Sequence, residues 1–193
     1  MSIHKAFGVV KQEIRVLGID DGQFVPHTKG EVLIVGVVFR GGTSVDGIMH
    51  THVDIDGLDA TDKLITMINS SPHKPQIRVV MLNGVTVAGF NLVDIVKLNK
   101  ATGLPIISLT QDKPDLEAIH EALKNLPDTE KRWQIIENAG AIRAIQNKGA
   151  KLYIGLAGLD VDDALVVLET TSTRGSLPEP LRVAHLIASG ITP

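Results

Sequence analysis

Val32-Leu-Ile-Val-Gly-Val-Val-Phe39 is an unbroken apolar run bounded by Glu31 and Arg40, and it restricts the folds open to this chain more than any other segment. Its length is that of a strand and far short of the ~20 residues that cross a bilayer, so no transmembrane helix is expected. A strand that is apolar at every position has both faces covered, which places it in or near the middle of a sheet with layers on both sides.

The segments around it complete a meander. Ile14 to Asp20 is short, rich in β-branched residues and followed by the turn signal Asp21-Gly22. From Ser44 to Asp56 the pattern alternates, with Met49, Thr51, Val53 and Ile55 on one side and His50, His52, Asp54 and Asp56 on the other. The short connections between these strands suit antiparallel neighbours.

Beyond Asp56 the period changes. Leu64, Ile65, Met67 and Ile68 recur at helical spacing between Asp59 and Ser70, and Arg78 to Leu82 is again strand-like. A helix through Ile95 and Val96 stops at Gly103 ahead of Pro105, a strand follows to Leu109, and Leu116, Ile119, Leu123 and Leu126 mark another helix. Trp133 and Ile136 lie on its successor. A strand near Lys151 to Leu156, a helix from about Asp162 to Thr171 and a last helix starting at Pro180 complete the chain. Three antiparallel strands followed by alternating helix and strand imply an α/β fold with a mixed sheet, the order of ribonuclease H-like proteins, in one domain spanning 1–193. Right-handed crossovers then bring the strand ending at Leu82 beside the first strand, with Asp20 and Asn83 near each other.

Composition removes several chemistries. The chain has no cysteine, so disulfides, thiolate metal sites and a cysteine nucleophile are excluded, and any metal must sit on oxygen or imidazole. A formal charge of −3 argues against coating nucleic acid through bulk electrostatics, and aromatic residues at 3% leave little for base-stacking platforms. The N-terminal Met1 to Lys5 has no apolar stretch after its charges, so a cytoplasmic location is expected.

Ligands of open sheets bind beyond the carboxyl ends of parallel strands, so the tips at Asp20-Asp21 and Asn83-Gly84 are the first candidates for a site. The two aspartates alternate across the strand, and only one can face a given site. Asp59 and Asp62 offer the oxygen ligands that Mg2+ or Mn2+ prefers, but they also fit a helix N-cap with an acid three residues on, as do Asn91/Asp94 and Asp160/Asp163. His50 and His52 read either as an imidazole metal site or as a solvated strand face. His185 reads as a core histidine or a catalyst, and Arg182 as a surface ion-pair partner of Glu179 or a phosphate clamp. No P-loop, dinucleotide fingerprint or nucleophile elbow is present.

Val16-Leu-Gly-Ile-Asp-Asp-Gly22, Asp56-Gly-Leu-Asp-Ala-Thr-Asp62, the segment Met81 to Asp94 and the segment Leu177 to Gly190 together resemble the archaeal family of unknown function numbered ninety-nine. That family in turn resembles endonuclease V, a ribonuclease H-like, Mg2+-dependent nuclease that cuts nucleic acid beside deaminated purines such as inosine. The second resemblance implies an endonuclease V-like fold. It favours Asp20, in Gly18-Ile19-Asp20, as a metal-binding carboxylate, and it sets Asn83 where endonuclease V has a metal-binding aspartate. Asp59 or Asp62 stand as approximate substitutes for a glutamate ligand, and His185 joins the site. The tyrosine-containing wedge that separates strands in endonuclease V has no counterpart. A neutral Asn83 is a poor bridge between two dications, so weak binding of one Mg2+ or Mn2+, with no organic cofactor, is expected. The resemblance thus implies a nucleic-acid- or nucleotide-binding relative with little or no catalysis. Its alternative is a metal-dependent endonuclease on modified or structured nucleic acid, using Asp20, Asn83 and His185.

Overall fold

The computed structural model describes residues 9–192, so Met1 to Lys5, on which the expected location rests, lies outside the described residues. Strands β1 (Arg15–Asp21), β2 (Glu31–Arg40) and β3 (Ser44–Asp54) form the antiparallel meander, with Asp20 opposite Val35 and Met49 opposite Gly36. The apolar run is β2. It lies between β3 and β1, and its residues from Ile34 to Phe39 are all buried. Burial of each large apolar side chain is worth about 1.5–3 kcal/mol.

After α1 (Ala60–Ser70), β4 (Val79–Asn83) pairs parallel with β1, matching Gly18 to Met81 and Ile19 to Leu82. A two-stranded ribbon of β5 (Thr86–Val87) and β6 (Asn91–Leu92) leads into α2 (Ile95–Thr102), which stops at Gly103 with φ of 72°. The chain continues through β7 (Ile106–Thr110), α3 (Leu116–Leu123), α4 (Thr129–Asn138), β8 (Arg143–Asn147), β9 (Ala150–Ala157), α5 (Val161–Thr171) and α6 (Glu179–Ile191). The main sheet has seven strands in the order β3-β2-β1-β4-β7-β9-β8, parallel only at β1-β4 and β4-β7. This is the mixed α/β sheet expected, extended by a hairpin.

Helices cover both faces. Leu17, Ile19, Val80, Leu82 and Ile106 face α1 and α2, whereas Val16, Val79, Met81, Ile107 and Leu109 face α5 and the start of α6. Alternation therefore turns Asp20 and Asn83 to the α6 side and Asp21 to the other. Helix α6 can lie close to β1 because residue 18 is glycine: an added Cβ there would sit 2.2 Å from the carbonyl carbon of Pro180.

Several local expectations fail for identifiable reasons. The Asp59/Asp62 capping box does not form: the Asp59 side chain makes no cap bond, and Asp62 pairs with Lys97 at 2.6 Å. At Asn91/Asp94 the cap is Asp94 itself, which accepts the Lys97 amide at 2.8 Å, while Asn91 is buried in the core. Only Asp160 behaves as the pattern suggests, accepting the Asp163 amide. The third strand ends at Asp54 because Asp56 turns to φ of 52°, and β5, β6 and β8 are elements beyond those the sequence patterns mark. Pro180 is the second residue of α6, with Pro178 at its cap.

Candidate active site

Asp20 is 3% exposed near the carboxyl end of β1. Its Oδ1 accepts the Asp21 amide at 3.0 Å, and Asn83 Nδ2 stands 3.4 Å from each carboxylate oxygen. On the far side His185 Nδ1 lies 3.0 Å from Oδ2. Burial raises the Asp20 carboxyl to about 6, with the neighbouring Asp21 charge adding to it, while the bonds from the Asp21 amide and Asn83 and the nearby His185 hold it down. His185 is the solvent-facing member, with 60% of its side chain exposed. It is therefore neither a core histidine nor a free one: α6 presents it to Asp20. Its other ring nitrogen, Nε2, makes no hydrogen bond among the described residues.

Asp21 has a different task. Its Oδ2 accepts the amide of Ala88 at 2.6 Å, and Asp56 Oδ1 accepts that of Phe90 at 2.8 Å. Ala88 and Gly89 both have positive φ, 47° and 85°, so the two carboxylates fasten the tight turn of the β5-β6 ribbon at either side.

The structure joins Asp20, Asn83 and His185 and sends Asp59 and Asp62 elsewhere. Asp59 Oδ1 accepts from Asn91 Nδ2 at 2.6 Å and from the Asp54 amide, and Asn91 Oδ1 in turn takes the Ala60 amide. Asp62 is on the surface with Lys97. Among the described residues no three His, Asp or Glu side chains are grouped closely enough to hold a metal ion. The donors around Asp20 are one carboxylate, one amide and one imidazole, a set that does not fit a pair of dications, which needs anionic oxygens to bridge the ions.

His50 and His52 are exposed on the solvent face of β3, their rings 6.2 Å apart in an edge-on arrangement. Arg182 pairs with the buried Glu179 at 2.6 Å, the structural role open to it. One organising residue had no signal in the sequence. Arg132 of α4 is buried, and its guanidinium donates to the carbonyls of Pro127, Gly57, Phe90 and Asp56, tying α4 to the loop after β3 and to the ribbon.

The order and pairing of the sheet, with helices on both faces, define an endonuclease V-like fold. Within that class the chain belongs to the endonuclease dU family, which it matches over residues 12–192. A UPF0215 protein of the archaeon Methanothermobacter thermautotrophicus is 50% identical over 187 residues, covering 96% of this chain and 91% of the relative. The crystal structure of a protein of unknown function from Archaeoglobus fulgidus superposes with a TM-score of 0.83 at 42% identity, over 92% of this chain and 97% of that one. Ciona intestinalis endonuclease V, in complex with a 24mer DNA containing an inosine followed by a ribo-adenosine, shares the fold at a TM-score of 0.61. It is 11% identical, and the match covers 94% of this chain and 87% of that one. No described helix is long and apolar enough to cross a membrane.

Proposed function

We propose that the protein is an endonuclease that hydrolyses a phosphodiester bond next to a deaminated base in DNA. The observation that carries this reading is the Asp20–His185 contact, which joins a buried acid to an accessible imidazole near the carboxyl end of the interior strand β1. The family's name, endonuclease dU, suggests deoxyuridine as the base. The inosine-containing DNA bound to the Ciona protein makes a nucleic-acid partner reasonable for this fold.

The division of labour in this proposal is as follows. With Nδ1–H donated to Asp20, His185 keeps Nε2 as its basic nitrogen, placed to take the proton of a water attacking phosphorus. As the P–O bond on the far side breaks, the leaving oxygen draws its proton from solvent. Asp20 holds the ring orientation and stabilises the imidazolium that forms, as a buried carboxylate does for a catalytic histidine. Asn83 supplies a neutral donor to the same carboxylate. Mg2+ or Mn2+ would find Asp20 as its one anionic ligand here, so we expect a single ion, weakly held.

A second reading, a nucleic-acid-binding relative without catalysis, is favoured by Asn83, since an amide there takes a full negative charge from a site that must manage phosphate chemistry. One assay separates the two. Labelled duplex and single strands carrying one deoxyuridine, one deoxyinosine or no modification are incubated with the protein in Mg2+, Mn2+ or EDTA, and nicking and retention are both scored. Nicking confined to modified strands supports the endonuclease. Retention without nicking under every condition supports the binding protein.

A further inference from the structure

His50 and His52 take no part in the site around Asp20. Asp20 pairs with Val35 and Val35 with His50, so the three stand in one row across β1, β2 and β3, the outer two ~9–10 Å apart at two strand spacings. Helix α6 packs on Val35 through Ala184 and Ala188, between Asp20 and His50, and leaves His50, His52 and Ile48 exposed on the same face of β3. No strand of the sheet lies beyond β3. Its edge is open over a short stretch. The Ile55 amide donates to the Gly30 carbonyl at 2.9 Å, and hydrogen-bonded pairs alternate along an antiparallel ladder, so Met49, Thr51 and Val53 bond to β2 while Ile48, His50 and His52 turn their main-chain groups outward. The next outward residue, Asp54, is already satisfied: its amide donates to Asp59 Oδ1 and its carbonyl accepts from Asn91 Nδ2.

We propose that His50 and His52 are half of a metal site for a borderline divalent cation, Zn2+ foremost, which two copies of this chain complete across the edge of β3. This site is independent of the endonuclease reading. Imidazole nitrogen is a good ligand for such ions, and the two ring centres are 6.2 Å apart. A Zn–N bond of ~2.0–2.1 Å puts the ion ~3.2 Å from a ring centre, so two rings on one ion stand at most ~6.4 Å apart, and a modest side-chain rotation closes this pair to a tetrahedral angle. Neither ring makes a hydrogen bond among the described residues, so the rotation breaks none. A structural zinc ion takes four ligands; the chain offers two, and no third His, Asp or Glu stands close enough among the described residues. A two-fold axis doubles the set. Antiparallel pairing of two β3 strands about Thr51 sets His50 of each copy opposite His52 of the other, with Cβ atoms ~4.5–5.5 Å apart and four imidazoles gathered on one face. The same pairing gives the outward N–H and C=O groups of both histidines their partners. It ends where Ile48 meets Asp54, whose groups Asp59 and Asn91 already hold, and no two carboxylates oppose each other in it.

The test is sedimentation velocity of the full chain in Zn2+ and in EDTA, with zinc affinity measured by calorimetry, for the wild type, His50→Ala, His52→Ala, the double variant and Asp20→Asn. Both histidines are exposed, so the variants should melt like wild type in EDTA. The expected wild type is a monomer in EDTA and a dimer in Zn2+, saturating at one ion for every two chains. Each single histidine variant should lose at least the ~10–100-fold in zinc affinity that removal of even an outer-shell partner costs, and the double variant should stay monomeric. Asp20→Asn should dimerise as wild type does, because its carboxylate lies on the other side of α6. The proposal is overturned by a wild type that stays monomeric in Zn2+, by saturation at one ion per chain, by a wild-type dimer that EDTA does not dissociate, or by zinc-dependent dimers of the double variant.

Discussion

Asp20 and His185 stand 165 residues apart in the chain and 3.0 Å apart in the fold. The contact exists because Gly18, two residues before Asp20, lets the backbone of α6 press against β1 at Pro180 and Leu181, one turn ahead of His185. The same strand thus supplies the acid and the gap that admits its partner.

Gly18→Ala tests that coupling. A methyl group 2.2 Å from a main-chain carbonyl carbon cannot be absorbed by a flexible side chain, so α6 must shift. We expect a loss of about 1–3 kcal/mol in urea unfolding, as for other overpacked cores, together with loss of the Asp20–His185 contact seen in a crystal structure of the variant. An unmoved α6 would show that the close approach is unimportant.

Asp20 carries a stability cost with a defined pH window. Its folded pKa, about 6, is raised above the ordinary 3.8, so the folded state binds the proton more tightly than the unfolded chain. The resulting penalty is complete above pH 6, fades as pH falls toward 3.8 and is gone below it. At the full shift it is on the order of 3 kcal/mol. Asp20→Asn should therefore be more stable than wild type at pH 8 and draw level near pH 4. Denaturation of both proteins at the two pH values checks this, and the comparison cancels carboxylates such as Asp46, which its bonds from Arg40 and Arg15 hold below the usual range.

Asn83→Asp places a second carboxylate where Asn83 Nδ2 now lies 3.4 Å from both Asp20 oxygens. Like charges at that distance repel, so without metal the melting temperature should fall at pH 8. Added Mn2+ should restore it and raise it further with concentration, a response expected to be weak in the wild type. An Asn83→Asp response no larger than that of the wild type would mean that a second carboxylate at this position does not build a dication site.

Much of this fold could be read ahead of the structure because its signals are local. The continuous apolar run of β2, the alternation of β3 and the Gly103 stop of α2 each follow from a few adjacent residues. β8 escaped because Arg143-Ala-Ile-Gln-Asn147 carries Ile145 as its single buried large apolar residue, and its turn is made by Lys148 and Gly149, both at positive φ. Asp59 and Asp62 show the opposite failure. Their capping pattern is a local rule that long-range partners override, Asn91 for one and Lys97 for the other. The neighbourhood of Asp20 and Asn83 followed from chain topology, whereas His185 entered through a family resemblance. Nothing in the order of residues marks Arg132, whose partners are all main-chain carbonyls.

Arg132→Met keeps most of the side-chain volume and removes the five bonds' worth of donor capacity that a planar guanidinium offers. The carbonyls of Asp56, Gly57, Phe90 and Pro127 then lose a buried donor. A loss of at least about 3 kcal/mol in urea unfolding is expected, with Arg132→Lys recovering only part of it. Full recovery by lysine would show that charge, and not the fork geometry, is what the site needs.

The most direct test of the account is nicking of a deoxyuridine-containing strand by His185→Ala beside wild type, with melting temperatures measured on the same samples. His185 is largely exposed, so its removal should leave stability nearly unchanged. A general base contributes about 10²–10⁴ in rate, and the account predicts a fall of at least ~100-fold. Wild-type nicking by a stably folded His185→Ala would contradict it.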